Sequence, residues 1–236
     1  MTALLSTRGL SRRFGGLTAV SEVDFDLPEG EVRALIGPNG AGKTTFVSMV
    51  CGRIPPSAGR ICFDGEDITM LPAHRRILRG MAYTFQITSV FARLEVGENV
   101  ALAARRRVPG AAVETAVRTA LERVGLAGRA DEEAGNLSYG HQRLLEIAMG
   151  LAQRPRLLIL DEPTQGLSDG EIARFKALVR DLSAEATILL IEHNMDVVME
   201  TADRVTVLDF GRILAEGTPE QIRADAAVQA AYLGTG

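Results

Sequence analysis

Short apolar runs alternate with longer segments of mixed composition along most of the chain. Nearly uninterrupted apolar runs are typical of strands buried on both faces of a parallel sheet. The mixed segments between them are typical of helices that cover such a sheet, so the alternation predicts an α/β layered fold. The predicted strands are residues 32–36, 81–85, 157–160, 187–191 and 205–208, and the clearest predicted helices are residues 44–51, 171–182 and 195–201.

Three other segments, two of them at the ends of the chain, depart from this alternation of strands and helices. The first 30 residues and residues 59–65 contain short strand patterns separated by turn residues, which predicts an antiparallel sheet at one edge of the fold. Residues 220–233 predict one or two short C-terminal helices.

A stretch without strand patterns lies in the middle of the chain. Residues 96–106 and 111–124 have helical composition, and Pro109 and Gly110 mark a break between them. We therefore predict a single domain in which a helical subdomain, residues 87–138, is inserted into a core formed by residues 1–86 and 139–236.

Composition places the chain among ordinary globular proteins. It has 236 residues, of which 46% are hydrophobic and 24% charged. The longest uncharged interior stretch has 13 residues, fewer than the ~20 that a membrane-spanning helix needs. The N-terminus shows no secretion signal, and Cys51 and Cys62 have neither disulfide nor metal spacing, so we expect a cytoplasmic protein with two small buried cysteines. A net charge of −4 argues against nucleic acid as a partner.

The first candidate for chemistry is a glycine-rich loop that follows a predicted strand and opens a predicted helix. Residues 37–44 (GPNGAGKT) fit the motif G-x-x-x-x-G-K-[ST], and we call them the phosphate loop. Glycines let backbone N–H groups turn towards phosphate oxygens, and the helix adds the positive end of its dipole. Lys43, one of only two lysines, would neutralise the β- and γ-phosphates, and the Thr44 hydroxyl would ligate Mg²⁺. The predicted nucleotide contacts are Gly37, Pro38, Asn39, Gly40, Ala41, Gly42, Lys43, Thr44 and Thr45.

Two acids follow the predicted strand 157–160. Ligands of parallel sheets bind beyond the carboxyl ends of the strands, which is where Asp161 and Glu162 lie. We expect Asp161 to hold Mg²⁺, directly or through water. Glu162 would accept a proton from the attacking water.

Residues 136–143 (NLSYGHQR) narrow the class, because here the sequence resembles the ABC transporter ATPase family. The family's signature is LSGGQ. Leu137, Ser138 and Gly140 match it, whereas Tyr139 and His141 depart. The resemblance implies a RecA-like P-loop NTPase fold, with ATP and Mg²⁺ as cofactors. It also implies that residues 137–140, the signature segment, close over the γ-phosphate bound by a second ATPase chain. We interpret His141 as a tolerated replacement.

Three further positions match the family in the expected order. By resemblance, Gln86 reaches Mg²⁺ and the attacking water, and His193 contacts the γ-phosphate. Phe14 matches the aromatic position that stacks on adenine, although a core phenylalanine is an alternative interpretation. A surface histidine is the alternative for His193.

The D-loop, residues 165–168, departs from the family pattern Ser-Ala-Leu-Asp. It contains Gln165, Gly166, Leu167 and Ser168, with Asp169 one place later. Either Ser168 or Asp169 could replace the usual aspartate in the contact with the second ATPase chain.

The family resemblance extends over almost the whole chain and is strongest to the ATP-binding subunits of branched-chain amino acid importers. Residues 13–17 (RFGGL), 84–86 (TFQ), 191–195 (IEHNM) and 217–220 (GTPE) carry it. It implies the ATPase of an importer of branched-chain or other small amino acids or amides, on the inner face of the cell membrane. This subunit would bind integral-membrane permease subunits. It would also bind a second ATPase subunit, the same chain or a paralogue, in a head-to-tail nucleotide sandwich. A soluble ABC-type ATPase acting on nucleic acid or ribosomes, and an ABC exporter ATPase, remain alternatives. A small GTPase is excluded because neither lysine lies in an Asn-Lys-x-Asp motif.

Overall fold

The computed structural model describes residues 3–84 and 89–233. The chain forms two compact units, one of Met1–Arg79 with Thr187–Gly236 and one of Gly80–Ala186. The strands are β1 (Ala3–Phe14), β2 (Leu17–Pro28), β3 (Val32–Ile36), β4 (Ala58–Phe63), β5 (Glu66–Asp67), β6 (Met81–Thr84), β7 (Leu157–Asp161), β8 (Thr187–Ile191), β9 (Arg204–Asp209) and β10 (Arg212–Gly217). The helices are α1 (Lys43–Val50), α2 (Ala73–Leu78), α3 (Val96–Ala104), α4 (Gly110–Arg123), α5 (Tyr139–Leu151), α6 (Asp169–Leu182), α7 (Met195–Thr201), α8 (Pro219–Ala224) and α9 (Ala226–Leu233).

Parallel strands form the centre of the first unit. β3 pairs in parallel with β8 on one side and with β9 on the other, and β10 pairs antiparallel with β9. Every residue of β3 and β8 is buried, which is why their sequences are nearly continuous apolar runs. Val198 of α7, Ile222 of α8 and Val228 of α9 join the buried cluster that contains Ala34 and Ile36 of β3. These contacts hold the strand that leads into the phosphate loop.

A separate antiparallel sheet completes the first unit, in the order β2-β1-β4-β5. β1 and β2 form a hairpin whose last paired residues are Phe14 and Leu17. This sheet is the antiparallel part predicted from the first 30 residues and from residues 59–65.

The second unit combines one pair of parallel strands, β6 and β7, with helices α3 to α6. The predicted helical stretch is confirmed, with small shifts at its boundaries. α3 ends at Ala104, earlier than the predicted residue 106, and Pro109 is the N-cap of α4. The compact units divide the chain at other positions than the predicted subdomain of residues 87–138, which stays a prediction.

Two expectations from the sequence change in detail. Cys51 is buried, but Cys62 is only half-buried because it lies on β4, whose exposed and buried residues alternate towards its end. β6 ends at Thr84, and the predicted last residue of that strand, Phe85, lies outside the described residues. In the part of the chain that the structure describes, no helix is both long and apolar enough to cross a membrane.

Candidate nucleotide-binding site

The phosphate loop lies between the end of β3 and the start of α1, as predicted. Gly37, Gly40 and Gly42 all have positive φ angles, of 149°, 79° and 101°. A Cβ atom on Gly37 would lie 2.1 Å from the carbonyl oxygen of Leu208, and one on Gly42 would lie 2.5 Å from that of Ala19. The loop is therefore pressed against neighbouring backbone at both ends, and only glycine fits at these two positions.

The first helix presents its N-terminus to the loop. Among the described residues, no side chain caps this end of α1, so its N-terminal N–H groups are not satisfied in that way. At the other end, the buried Arg76 guanidinium donates to the carbonyls of Met49 and Val50, 2.8 and 2.6 Å away. Burial lowers the pKa of Arg76 to about 10. The helix thus has a stabilised C-terminus and an N-terminus suited to an anion.

Lys43 folds back over the phosphate loop. Its Nζ donates hydrogen bonds to the carbonyl oxygens of Gly37, at 2.5 Å, and Pro38, at 3.0 Å. The side chain is half-buried, so its charge lies inside the concave loop and not in open solvent. Of the other predicted contacts, Asn39, Gly40 and Thr44 are exposed, Thr45 is half-buried, and Pro38 and Ala41 are buried.

His193 lies at the same edge of the first unit. The parallel register places Leu35 beside Ile191, so the phosphate loop and the residues after β8 leave adjacent strands at the same level. His193 is exposed, and its backbone N–H donates to the buried carboxylate of Glu192 at 3.0 Å. Glu192 also accepts from the N–H of Asn194, at 3.1 Å, and so fixes the turn that carries the histidine.

Phe14 ends β1 and is 45% exposed. The guanidinium carbon of Arg12 lies 4.6 Å from the centre of its ring, a distance at which cation–π attraction operates. This exposure argues against the alternative that Phe14 is a core residue.

The second unit carries the predicted acids at the end of β7. Asp161 is only 3% exposed, and its Oδ2 accepts a hydrogen bond of 2.8 Å from the Tyr83 hydroxyl. Its backbone carbonyl accepts a hydrogen bond from Arg143. Glu162 is half-buried and has a φ angle of +48°, a left-handed conformation that is costly for a residue with a Cβ.

The signature segment begins α5. Ser138 is the N-cap and accepts a hydrogen bond from the backbone N–H of His141. The His141 Nδ1 lies 2.8 Å from the Ser138 Oγ and 3.0 Å from an Arg129 Nη1. Because a guanidinium only donates, Nδ1 is an acceptor. His141 therefore anchors the cap of the signature helix.

Two of the departures from the family pattern, Tyr139 and Gly166, meet in the structure. A Cβ on Gly166, whose φ is +78°, would lie 2.5 Å from Cδ1 of the Tyr139 ring. Tyr139 of the signature segment thus occupies space that a side chain at position 166 of the D-loop would need. The tyrosine ring and the positive φ angle therefore both favour glycine at position 166.

Glu171 holds Ser168, the last residue of the D-loop, by two hydrogen bonds. Its Oε2 accepts from the backbone N–H of Ser168 at 2.8 Å and from the Ser168 hydroxyl at 2.7 Å. These hydrogen bonds lower the pKa of Glu171. Asp169, the first residue of α6, is exposed.

Several residues with a place in the site were missed by sequence reasoning. Tyr83 and Arg143 both contact Asp161. The carboxylate of Glu146 accepts a hydrogen bond of 2.8 Å from Arg143, and burial raises the pKa of Glu146. Tyr232 of α9 hydrogen-bonds the backbone of Gly37, and burial raises its pKa. Only the tyrosine in the apolar run 81–85 offered a signal, as a polar group inside a predicted buried strand. Gln86 lies outside the described residues.

Sequence comparisons agree with this arrangement. Residues 20–165 match the ABC transporter family, and residues 212–236 match the branched-chain amino acid ATP-binding cassette transporter family. The chain is 42% identical over 250 residues to the high-affinity branched-chain amino acid transport ATP-binding protein BraF of Pseudomonas aeruginosa, with 98% of each chain covered. It is 41% identical to the high-affinity branched-chain amino acid transport ATP-binding protein LivG of Escherichia coli, with 98% of each chain covered. It is 34% identical to the lipopolysaccharide export system ATP-binding protein LptB of Haemophilus influenzae, also with 98% of each chain covered.

Solved structures share the fold. An ATP-binding cassette of an ABC transporter in its ADP conformation is 29% identical, with a TM-score of 0.89 and coverage of 99% of this chain and 100% of that chain. A nucleotide-free cassette has a TM-score of 0.88 at 28% identity, with 98% of both chains covered.

The chain therefore belongs to the ABC transporter family. It is an ATPase subunit of that family, with the α/β P-loop NTPase fold that the sequence predicts. The phosphate loop and the family resemblance are the features from which this could be inferred.

Proposed function

We propose that this chain is the ATP-hydrolysing subunit of an importer for branched-chain amino acids. The observation that carries the proposal is the likeness to BraF and LivG over 98% of each chain. The match of residues 212–236 to the branched-chain amino acid cassette family adds support at the C-terminus.

Each predicted site residue has a role in this proposal. Lys43 neutralises the β- and γ-phosphates, and His193 contacts the γ-phosphate. Phe14 stacks on adenine with the ring face that Arg12 leaves open. Glu162 accepts the proton of the attacking water, which Gln86 helps to orient. The remaining predicted contacts come from the phosphate loop, Thr45 and the signature segment.

The donor chemistry fits Mg²⁺. Within residues 3–84 and 89–233, no group of three or more His, Cys, Asp or Glu side chains could hold a metal ion. Mg²⁺ bound with a nucleotide commonly takes one or two protein ligands and completes its shell with phosphate oxygens and water. The buried carboxylate of Asp161, the exposed hydroxyl of Thr44 and the amide of Gln86 would hold it. When bound, Mg²⁺ would neutralise charge on the phosphate oxygens.

The proposed assembly contains two ATPase chains on the inner face of the membrane, together with permease subunits. The signature segment of each chain closes over the γ-phosphate held by the other, in a head-to-tail dimer that sandwiches two ATP molecules. Asp169 is better placed than Ser168 for the D-loop contact, because Glu171 already holds both the hydroxyl and the N–H of Ser168. Hydrolysis removes the bridging charge and the dimer opens, which moves the permease.

A second candidate is an exporter ATPase. The 34% identity to LptB over 98% of each chain favours it as the runner-up, since that protein belongs to a lipopolysaccharide export system. The higher identity to BraF and the match of residues 212–236 favour the importer.

The test uses Lys43→Ala in the cell that produces the protein. We expect uptake of labelled leucine, isoleucine and valine to fall to background. Removing a charged hydrogen-bonding group costs ~1.5–3 kcal/mol, so the affinity of the purified variant for ATP should fall about ten- to hundredfold. Lys176→Ala, which removes the chain's other lysine from α6, is the matched control and should leave both measurements unchanged.

The outcomes separate the two candidates. Normal amino acid uptake with failed lipid export in the Lys43→Ala cells would replace the importer by the exporter. Unchanged ATP affinity of the purified variant would contradict the role of Lys43 itself.

A further inference from the structure

Tyr83 is placed by strand register to reach the carboxylate at the end of the neighbouring strand. In the parallel pairing of β6 with β7, Tyr83 lies beside Ile159. Side chains two residues apart on a strand point to the same face, so Asp161 shares the face of Ile159. The phenol spans the remaining distance along the strand, and its hydroxyl donates to Oδ2 of Asp161 at 2.8 Å.

Other groups hold the backbone of the same aspartate. Its N–H faces the Thr84 Oγ1 at 3.4 Å, a long hydrogen bond, and its carbonyl accepts from Arg143. Arg143 is in turn paired with the buried Glu146. The backbone of Asp161 is thereby fixed on both sides, but the carboxylate torsion of an aspartate is broad and needs its own restraint.

We propose that Tyr83 is a positioning residue that holds the Asp161 carboxylate in the orientation required to bind Mg²⁺. This inference rests on the proposed role of Asp161 as a magnesium ligand. The Tyr83 hydroxyl donates its hydrogen bond to Oδ2, so the rotation of the carboxylate is set before metal and nucleotide bind. Hydrogen-bond partners that orient a metal ligand commonly contribute 10–100-fold to metal affinity.

The inference separates metal binding from nucleotide binding. Tyr83 contacts the carboxylate in the second unit, whereas the phosphate loop and Lys43 belong to the first unit. Loss of the hydroxyl should therefore weaken metal binding about tenfold while leaving metal-free nucleotide binding as it is.

The experiment measures the affinity of the protein for Mn²⁺, a paramagnetic substitute for Mg²⁺, by electron paramagnetic resonance. The full chain is titrated with Mn²⁺ in the presence of a non-hydrolysable ATP analogue, and the affinity for the analogue in EDTA is measured by calorimetry. The variants are Tyr83→Phe, Asp161→Asn and a form with 4-aminophenylalanine at position 83, which keeps the ring and a donor at the same place. Thr201→Val is the matched control, because it removes another buried hydroxyl, one that donates to the Val197 carbonyl at 2.7 Å.

We expect Tyr83→Phe to raise the Mn²⁺ dissociation constant about tenfold and the 4-aminophenylalanine form to restore it. Affinity for the analogue in EDTA and the Thr201→Val titration should match the wild type. Equal Mn²⁺ affinity of Tyr83→Phe and wild type would overturn the inference. So would an equal loss in the phenylalanine and 4-aminophenylalanine forms, which would make the tyrosine merely structural.

Asp161→Asn distinguishes failure of this inference from failure of the proposed function. If Asp161→Asn binds Mn²⁺ as the wild type does, Asp161 is not a magnesium ligand and the premise is wrong. If only Asp161→Asn is impaired, the magnesium ligand stands and the role of Tyr83 is refuted.

Discussion

At the scale of single residues, exposure separates the two interpretations that the sequence leaves open for Phe14. A core phenylalanine would be buried, but this one is 45% exposed and is covered on one side by Arg12. An exposed aromatic ring at the end of a hairpin is available to stack on a base. Stacking on adenine therefore remains the proposal for this side chain.

We predict that Phe14→Ala weakens ATP binding and leaves the fold intact, because stacking on a base contributes ~1–3 kcal/mol. Calorimetric titration with ATP and a thermal melt without nucleotide measure the two effects. Leu17→Ala, at the opposite end of the same hairpin turn and 67% exposed, is the matched control and should bind ATP normally. A collapse of the melting temperature of Phe14→Ala would show instead that the ring stabilises the fold.

Residues whose partners are distant in sequence could not be assigned from the sequence. The hydroxyl of Tyr83 meets a carboxylate 78 positions later. Arg33 is buried in an apolar strand because Thr206 of β9 and Glu216 of β10 hydrogen-bond its guanidinium. The phosphate loop and Asp161 could be predicted because their chemistry depends on local spacing, which a sequence displays directly. Ser138 was predicted from the resemblance to the family signature.

At the scale of elements, a capping box determines how α6 begins. Ser168 and Glu171 satisfy backbone groups that would otherwise lack partners at the helix N-terminus. The hydrogen bonds from Ser168 lower the pKa of Glu171 below its ordinary value of 4.5. The charged form of Glu171 is therefore favoured in the folded protein.

We predict that Glu171→Ala lowers the free energy of unfolding by about 1 kcal/mol at pH 7, the usual cost of a lost cap, and that Glu171→Gln, which keeps an acceptor, loses less. Because the folded pKa is lowered, the advantage of glutamate over glutamine is complete above the unfolded pKa and disappears as the pH falls through the folded value. Urea denaturation over a pH series measures this difference in the free energy of unfolding between the wild type and Glu171→Gln. Glu114→Gln, at an exposed glutamate, is the control. An advantage that persists at the acid end would contradict the assignment.

The elements themselves were predictable to different degrees. The bounds of β3, β8 and α7 agree with the predicted ones. Gly37 and Glu192 end the apolar runs of the two strands, and Asn194 caps the start of α7. The start of α3 at Val96 agrees with the prediction, but its C-terminal end lies two residues earlier. The arginines after Ala104 are good helix formers, and only the packing decides where the helix stops.

At the scale of the whole molecule, each compact unit carries some of the proposed catalytic groups. The first unit holds the phosphate loop and His193, and the second holds Asp161, Glu162 and the signature segment. The sequence resemblance identifies the family correctly because these motifs occur in a fixed order. The transported molecule could not be predicted from these motifs, since no residue of the nucleotide site would touch it. Only the likeness to named relatives points to it.

We predict that Glu162→Gln lowers the rate of ATP hydrolysis ~10²–10⁴-fold, because glutamine cannot accept a proton, and that ATP still binds. The closed state should then accumulate, so the variant should elute as a dimer with ATP–Mg²⁺ and as a monomer without nucleotide. Adding Ser138→Arg should abolish the dimer, since a bulky side chain blocks the phosphate contact. Size-exclusion chromatography with light scattering measures all three states.

Hydrolysis at the wild-type rate would remove Glu162 from the mechanism. If the variant is inactive but monomeric, it is mixed with the second ATPase subunit purified from the same membrane complex. ATP-dependent heterodimers would then support the sandwich with a paralogue, and their absence would refute the sandwich.

The steric fit of the phosphate loop has a consequence for mutational scans. Side chains at positions 37 and 42 would collide with the carbonyls of Leu208 and Ala19, whatever the protein binds. A scan that selects only for folded, soluble protein should therefore already reject substitutions at both glycines, whereas Lys43 should become intolerant only under selection for growth on the transported nutrient. Comparing the two scans would separate, within one short motif, the constraints of architecture from those of catalysis.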